Sequence, residues 1–297
     1  MIEYEIVDMF TDRPFDGCAL GVVPDAHGLS GADMLAVAGE IGLTETAFVM
    51  PPESPGATYR VRVFTPRAES PFGGHSAVGT ATALVRRGDV PAGRLVQECG
   101  GRLLALSASG ESATLSVEGD PLPDPGADWG GLLAACGLAE EDRAGTARAD
   151  GFGPVFHFLP VRPDAVSRAA MDPASPVWDA CRDAVVLAWD AVTRTAHARV
   201  FAPGYGMPED PACASAALGL GAWLAGTGLI SGPDGRYAYH LVQGAELGRP
   251  AALSCTVTLR DGRAAAATVT GRVTATAHGR MRVPRARAAV VSGRATA

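Results

Sequence analysis

The chain contains no lysine: all 25 of its basic residues are arginine. That excludes chemistry needing a lysine amine, and so removes pyridoxal-phosphate Schiff bases, lysine aldolases and the Walker-A phosphate loop together. Long apolar runs are also missing. None reaches the roughly 18 to 20 residues that span a bilayer. The opening MIEYEIVDMF has no basic segment leading into an apolar one, so no secretory signal is expected. None of the six cysteines forms a Cys-x-x-Cys pair or stands at zinc-finger spacing from a histidine. A cytoplasmic protein with reduced thiols and no metal is the expectation. No Gly-x-Gly-x-x-Gly follows a strand and opens a helix, so no bound cofactor is evident. A net charge of -7 argues against a nucleic-acid partner.

What is present is globular in composition. Of 297 residues, 47% are hydrophobic and 19% charged, enough to fill a large core. Ile2, Tyr4 and Ile6 alternate and predict a strand over 2–8. Ser30 with Asp33 starts a helix that runs to Ile41 and stops at Gly42. Strands are expected over 45–50, 59–64, 95–99, 103–108 and 113–117. The small-residue stretch 77–85, ending Arg86-Arg87-Gly88, predicts a helix with cations in its last turn. Pro121 to Gly126 is linker-like. Beyond it, strands are expected over 155–161, 185–188, 198–201, 237–242, 253–259 and 265–273, and a helix over 213–224. The division expected is a first lobe over 1–118 to which 272–284 returns, a second lobe over 119–271, and a basic tail over 285–297.

The two halves repeat one another. Val63-Phe64-Thr65-Pro66 matches Val200-Phe201-Ala202-Pro203. The run from Glu69 to Gly79 then matches the run from Glu209 to Gly219, after a short insertion in the second copy. Each copy reads as strand, acidic turn with proline, then a helix of tiny residues. Such a helix has no polar face and must be surrounded by protein. The fold expected is therefore α+β, with two pseudo-symmetric lobes, each a β-barrel-like sheet wrapped around a central apolar helix. Related halves meet across a pseudo-twofold axis with a site between them. Both helix starts would face that cleft and offer unpaired N–H groups and a positive dipole end to an anion, foremost a carboxylate. Gly73, Gly74 and Ala214 would let a ligand approach the backbone closely.

The candidate side chains are individually ambiguous. Glu45, alone in Thr44-Glu45-Thr46-Ala47-Phe48, could be a solvated surface residue. His75, Asp210 and Ser215 could each simply cap a helix. Cys213 is either an inert buried thiol or one activated by the helix start. Their placement at matching ends of a repeat is what raises them.

Taken in order, these residues resemble a known family. The pieces are Val7-Asp8-Met9-Phe10-Thr11, Pro14-Phe15-x-Gly17, Leu43-Thr44-Glu45-Thr46-Ala47-Phe48, Phe64-Thr65-Pro66, Pro71-Phe72-Gly73-Gly74-His75, Pro208-Glu209-Asp210-Pro211-Ala212, and Gln243-Gly244 with Gly248-Arg249-Pro250. Over about residues 2–283 the chain resembles the PhzF-like (phenazine biosynthesis) family, which has the diaminopimelate-epimerase-like fold. The resemblance implies a cofactor-independent isomerase, a homodimer, that shifts a proton and a double bond on a small unsaturated, amino-substituted cyclic carboxylic acid. Dihydroanthranilate-like and alkylproline-precursor-like acids of natural-product (antibiotic) biosynthesis are the substrates it suggests. It makes Glu45 the principal acid/base, with His75, Asp210 and Ser215 assisting, and assigns carboxylate binding to Gly73, Gly74, Ser76 and the backbone around Ala214.

Two departures stand out. Cys213-Ala214-Ser215 replaces the family's usual Thr-Gly-Ser, and Cys18 replaces its usual asparagine. Related racemases place a cysteine at both helix starts. Here the first position is Gly73, which argues against a two-thiol racemase. An epimerase, racemase or hydroxyproline-type dehydratase using Glu45 and Cys213 remains an alternative, as does a non-catalytic carboxylate-binding protein.

Overall fold

The computed structural model describes residues 1–70, 73–122 and 124–283, with the side chain of His75 outside that description. The expected basic tail over 285–297 lies outside the described residues. The first half comprises β1 (Ile2–Met9), β2 (Cys18–Val23), α1 (Gly31–Ile41), β3 (Glu45–Met50), β4 (Tyr59–Phe64), β5 (Glu69–Ser70), α2 (Gly74–Arg87), β6 (Gly93–Cys99), β7 (Arg102–Ala108) and β8 (Ser112–Glu118). The second comprises α3 (Trp129–Ala135), β9 (Arg148–Asp150), β10 (Phe156–Pro160), α4 (Pro163–Arg168), β11 (Ala184–Asp190), β12 (Thr195–Ala202), β13 (Met207–Asp210), α5 (Ala214–Gly226), β14 (Gly235–Gln243), β15 (Ala251–Arg260) and β16 (Arg263–Met281).

The last strand joins the halves. Where alternation predicts a strand over 265–273, β16 continues for 19 residues. Its early part pairs with β15 on one side and β8 on the other, and its later part pairs with β1. The order β1-β2-β3-β4-β6-β7-β8-β16 thus closes on itself as a barrel of strands around α2. On the other side of β16, the sheet continues β15-β14-β12-β11-β10-β9 and curls around α5. The architecture is α+β with two lobes, each a sheet wrapped on a central helix.

The duplication is visible in the pairing. In the first copy β3 pairs antiparallel with β4, β4 antiparallel with β5, and β4 parallel with β6. In the second, β11, β12, β13 and β14 repeat those three relations in the same order. Register sharpens the match. Thr46 lies opposite Phe64, and Ala184 lies opposite Phe201. Since Phe64 and Phe201 correspond in the repeat, so do Glu45 and Asp183, the residues just before Thr46 and Ala184.

The central helices are enclosed because of their composition. In α5 every residue from Ala216 to Leu224 is buried. Ala77, Val78, Ala81, Ala83 and Leu84 of α2 join the α5 residues in one continuous apolar cluster spanning both lobes. Small side chains let the sheet approach the helix backbone. A Cβ at Gly221 would lie 2.6 Å from the Tyr239 hydroxyl and 3.1 Å from Val257 Cβ. The Tyr239 hydroxyl donates to the Ala217 carbonyl at 2.7 Å, bolting β14 to α5. Outside the sheets, α1 covers a second cluster in the first lobe, and α3 and α4 cover a third in the second.

Helix α2 starts three residues before the stretch that the apolar pattern marks, at Gly74, and α3 and α4 are absent from the sequence-based expectation. With seven and six residues, they are too short to establish a 3.6-residue period.

Gly221→Ala raises helix propensity by about 1 kcal/mol but forces its methyl against Tyr239. Overpacking of this kind costs about 1–3 kcal/mol. Urea denaturation should show a net loss of stability for Gly221→Ala, partly restored when Tyr239→Phe is combined with it.

Candidate active site

The first turn of α1 is closed by Ser30 and Asp33, whose side chains and backbone exchange hydrogen bonds in a capping box. Helices α2 and α5 have no such closure. Their N-caps are Gly73 and Cys213, and neither start receives a side-chain cap. The first N–H groups of both helices are therefore available to a ligand, at the positive ends of two helix dipoles.

Matching clamps hold the two starts. In the first copy, Arg62 donates through Nε and Nη2 to the Glu69 carboxylate, both at 2.7 Å. In the second, Arg199 makes the same fork to Glu209, at 2.9 and 2.7 Å. Each guanidinium also lies over the phenylalanine two residues on, 5.1 Å from the Phe64 ring and 5.0 Å from Phe201. Bidentate geometry makes these pairs directional. They tie the turn before each helix start to the strand that precedes it. Hydrogen bonds from Arg62 hold Glu69 below the ordinary carboxylate range.

Between the starts lies a cavity of about 260 Å³. Of the residues expected at the site, Glu45, Gly74, Asp210, Cys213 and Ser215 line it together. Gly73, Ser76 and Ala214 are buried in the same helix starts without lining it. His75 occupies the second position of α2, and its side chain lies outside the described residues. Glu45 is only 5% exposed despite being a lone glutamate, which removes the surface reading. Asp210 is 3% exposed, and its Oδ1 accepts the Ala212 N–H at 2.9 Å. Gln243, at the end of β14, donates to the Asp210 carbonyl and accepts from the Cys213 N–H at 3.1 Å, so β14 fixes the second start. Glycine is required at 73: a Cβ there would sit 2.2 Å from Ser76 Oγ and 2.7 Å from Val63 Cγ2.

The lobes are tied beside the cavity. Arg249 donates to the Asp8 carboxylate, to Gly17 O at 2.7 Å and to Asp16 O at 3.0 Å. The second Asp8 oxygen accepts from the Phe15 N–H, and the Gly17 N–H donates to Pro250 O. Gly244 turns the chain toward this strap at φ 76°, with its Cα against the Arg249 and Pro211 carbonyls, where no side chain fits. Cys18, fully buried, begins β2 next to this strap. Burial pushes its thiol well above the ordinary range, and the Asp210 and Glu45 carboxylates add to the effect. For Cys213, burial comes first and the Asp210 carboxylate second, and both push its thiol well above the ordinary range. Of the two readings of Cys213, this environment favours the neutral buried thiol over one activated by the helix start. Desolvation and a neighbouring carboxylate outweigh the dipole.

Tyr205 and Met207 also line the cavity. The segment around His157 contributes Phe156. Sequence reasoning missed the two clamps, although Arg62-Val63-Phe64 and Arg199-Val200-Phe201 are legible as one tripeptide occurring in both copies. It also missed Arg182, which lines the cavity, and its neighbour Asp183. No short motif marks either, and only the strand register aligns Asp183 with Glu45. Among the described residues, no three His, Cys, Asp or Glu side chains converge as metal ligands would, and no helix is long and apolar enough to cross a membrane.

Comparison with known proteins gives a consistent result. The family model described as phenazine biosynthesis-like protein matches residues 7–279. An uncharacterized isomerase from Mesorhizobium japonicum is 32% identical over 94% of this chain and 98% of its own. A trans-2,3-dihydro-3-hydroxyanthranilate isomerase from Pseudomonas aeruginosa is 31% identical over 94% of this chain and 99% of its own. The crystal structure of a PhzF-family protein from Bacillus anthracis superposes with a TM-score of 0.81 at 24% identity, covering 94% and 98% of the two chains.

With its thiol held neutral, Cys213 should resist alkylation. Iodoacetamide at pH 8 should label Cys213 at least about tenfold more slowly in the folded protein than in urea, as read by peptide mass spectrometry. Labelling of the folded protein at the rate of a free thiol would contradict the assigned electrostatics.

Proposed function

The chain belongs to the phenazine biosynthesis-like (PhzC-PhzF) family and is an isomerase, and from that premise we propose that it moves a proton, and with it a double bond, along a small unsaturated amino-substituted carboxylic acid, using only its own side chains. One observation supports this above the others. A single buried glutamate, Glu45, lines the same small cavity as two uncapped helix starts.

The division of labour follows from the chemistry. The substrate carboxylate sits against the N–H groups of the first turns of α2 and α5, near Gly74 and Ser215. Glu45 takes a proton from an allylic carbon. The electron pair left behind delocalises through the double bond into the carboxylate, where the two helix starts stabilise the added charge. Glu45 then returns the proton to the far carbon of the same system, so the product differs from the substrate only in where one hydrogen and one double bond lie. Asp210 holds the substrate amine, and Ser215 hydrogen-bonds to the carboxylate. A relative is named for an acid of this general class, trans-2,3-dihydro-3-hydroxyanthranilate, which carries a single carboxylate.

An epimerase or dehydratase would need Cys213 as the second proton carrier. A neutral thiol can donate a proton but is a poor base, so its shifted acidity favours a one-base migration. Deuterium oxide separates the two: migration places label on the remote carbon, and epimerisation places it at Cα alone.

Glu45→Gln should lose at least about two orders of magnitude in turnover while keeping its fold by circular dichroism. Near-normal turnover of that variant on a substrate that the unaltered protein converts would remove Glu45 as the base.

A further inference from the structure

We infer that the second lobe carries an anion subsite built on Arg182, so that the substrate bears a second acidic group beyond the carboxylate held at the helix starts. The inference rests on the reading of the cavity as a carboxylate site and names the substrate class more closely.

The repeat places this residue. By strand register Asp183 corresponds to Glu45, so Arg182 stands where the first copy has Thr44. Both lobes thus bring the residues leading into an equivalent strand, β3 or β11, to one cavity. The first contributes Glu45, and the second contributes Arg182. Asp183 does not line the cavity. Its Oδ1 accepts the His157 N–H at 2.9 Å and lies 3.2 Å from His157 Nδ1, which anchors the turn that presents Arg182.

Three contacts fix the guanidinium. Its Nε and Nη2 donate to Gly204 O at 3.2 and 2.6 Å, and it lies 4.6 Å from the centre of the Tyr205 ring. The Tyr205 ring stacks in turn on Phe156. Glycine at 204 is a condition of this contact, because a Cβ there would come 2.6 Å from Arg182 Cβ. The Gly204 N–H also donates to Arg182 O at 3.0 Å. Burial raises the Tyr205 phenol, with Asp183 adding to the effect, so its hydroxyl remains a donor beside the guanidinium.

Charge then selects the ligand. Among the described residues no carboxylate pairs with Arg182, although the chain has a net charge of -7. Of the three acids lining the cavity, Glu69 is held by Arg62. Arg182 is the one guanidinium among the described residues that line it. A planar fork with unused N–H groups, stacked on an aromatic ring and facing a small cavity, matches a carboxylate in the plane of the ligand. Arg182 is exposed to solvent as well as lining the cavity, so a ligand carboxylate there would exchange water for a charge-assisted hydrogen bond, which a hydrocarbon edge would not make.

Four acids test this by isothermal titration calorimetry on the full chain: benzoate, phthalate, isophthalate and terephthalate. The last three scan the direction of a second carboxylate. At least one of them should bind about tenfold tighter than benzoate, as a charge-assisted hydrogen bond implies. Arg182→Gln should abolish that preference, weakening the favoured diacid about tenfold more than it weakens benzoate. Arg182→Lys, which keeps the charge and loses the fork, should retain part of it. Equal affinity of all four acids for the unaltered protein overturns the subsite alone. Equal weakening of all four in Arg182→Gln does so too, because it would make Arg182 only a brace for the 203–206 turn. Failure of every acid to bind the unaltered protein overturns the carboxylate reading of the cavity as well.

Discussion

A helix with no polar face can persist in water only when protein surrounds it, and the rest of this structure depends on that constraint. Apart from their ends and Trp223, helices α2 and α5 are built of alanine, glycine, threonine, valine and leucine, and each must lie inside a sheet rather than on one. Enclosure fixes where their ends can emerge. Flanking strands cover the barrel of each helix, so the unsatisfied first N–H groups open at the mouth of each sheet. Two lobes joined through β16 bring the two mouths together. The meeting of two uncapped helix starts at one cavity is thus a consequence of how the helices are buried.

Duplication gives the halves one frame with different contents. The Arg62–Glu69 and Arg199–Glu209 clamps are the same device, down to the stacking of each guanidinium on its phenylalanine. What the frames hold differs. Glu45 reaches the cavity, while its counterpart Asp183 is turned to His157 and leaves its predecessor, Arg182, to line the cavity. Gly73 stands where the second copy has Cys213. Symmetry in the backbone and asymmetry in the side chains give the shared cavity a buried glutamate from the first lobe and an arginine from the second.

The cavity also depends on how the lobes are locked. Asp8, Phe15, Gly17, Arg249 and Pro250 form a strap of backbone and charged hydrogen bonds next to the site, and the apolar cluster around the central helices is continuous across both halves. A site shared between lobes holds its geometry only if they do not slide. Burial near the strap keeps Cys18 a neutral thiol, consistent with a role in packing rather than chemistry.

Local chemistry is what the sequence alone determined. The repeat, the composition of its helices and the acidic turn before each start are properties of neighbouring residues, and they suffice to derive two lobes with facing helix starts. The short helices α3 and α4 were not legible, because six or seven residues carry too little periodicity. At the site, Glu45 and Asp210 could be picked out because each sits in a distinctive run. Whether Glu45 met water or a cavity was open until strand pairing buried it. Only the tertiary structure decided that Cys213 is held neutral, since its acidity is set by burial and by the Asp210 carboxylate rather than by its place at a helix start. The same is true of Arg182. Nothing near it in the chain distinguishes it from the other arginines, and its role follows from the distant Gly204, Tyr205 and His157–Asp183 contacts that carry it to the cavity. Sequence fixes what the chain can bury, and long-range packing fixes which of its charges are left lining the cavity.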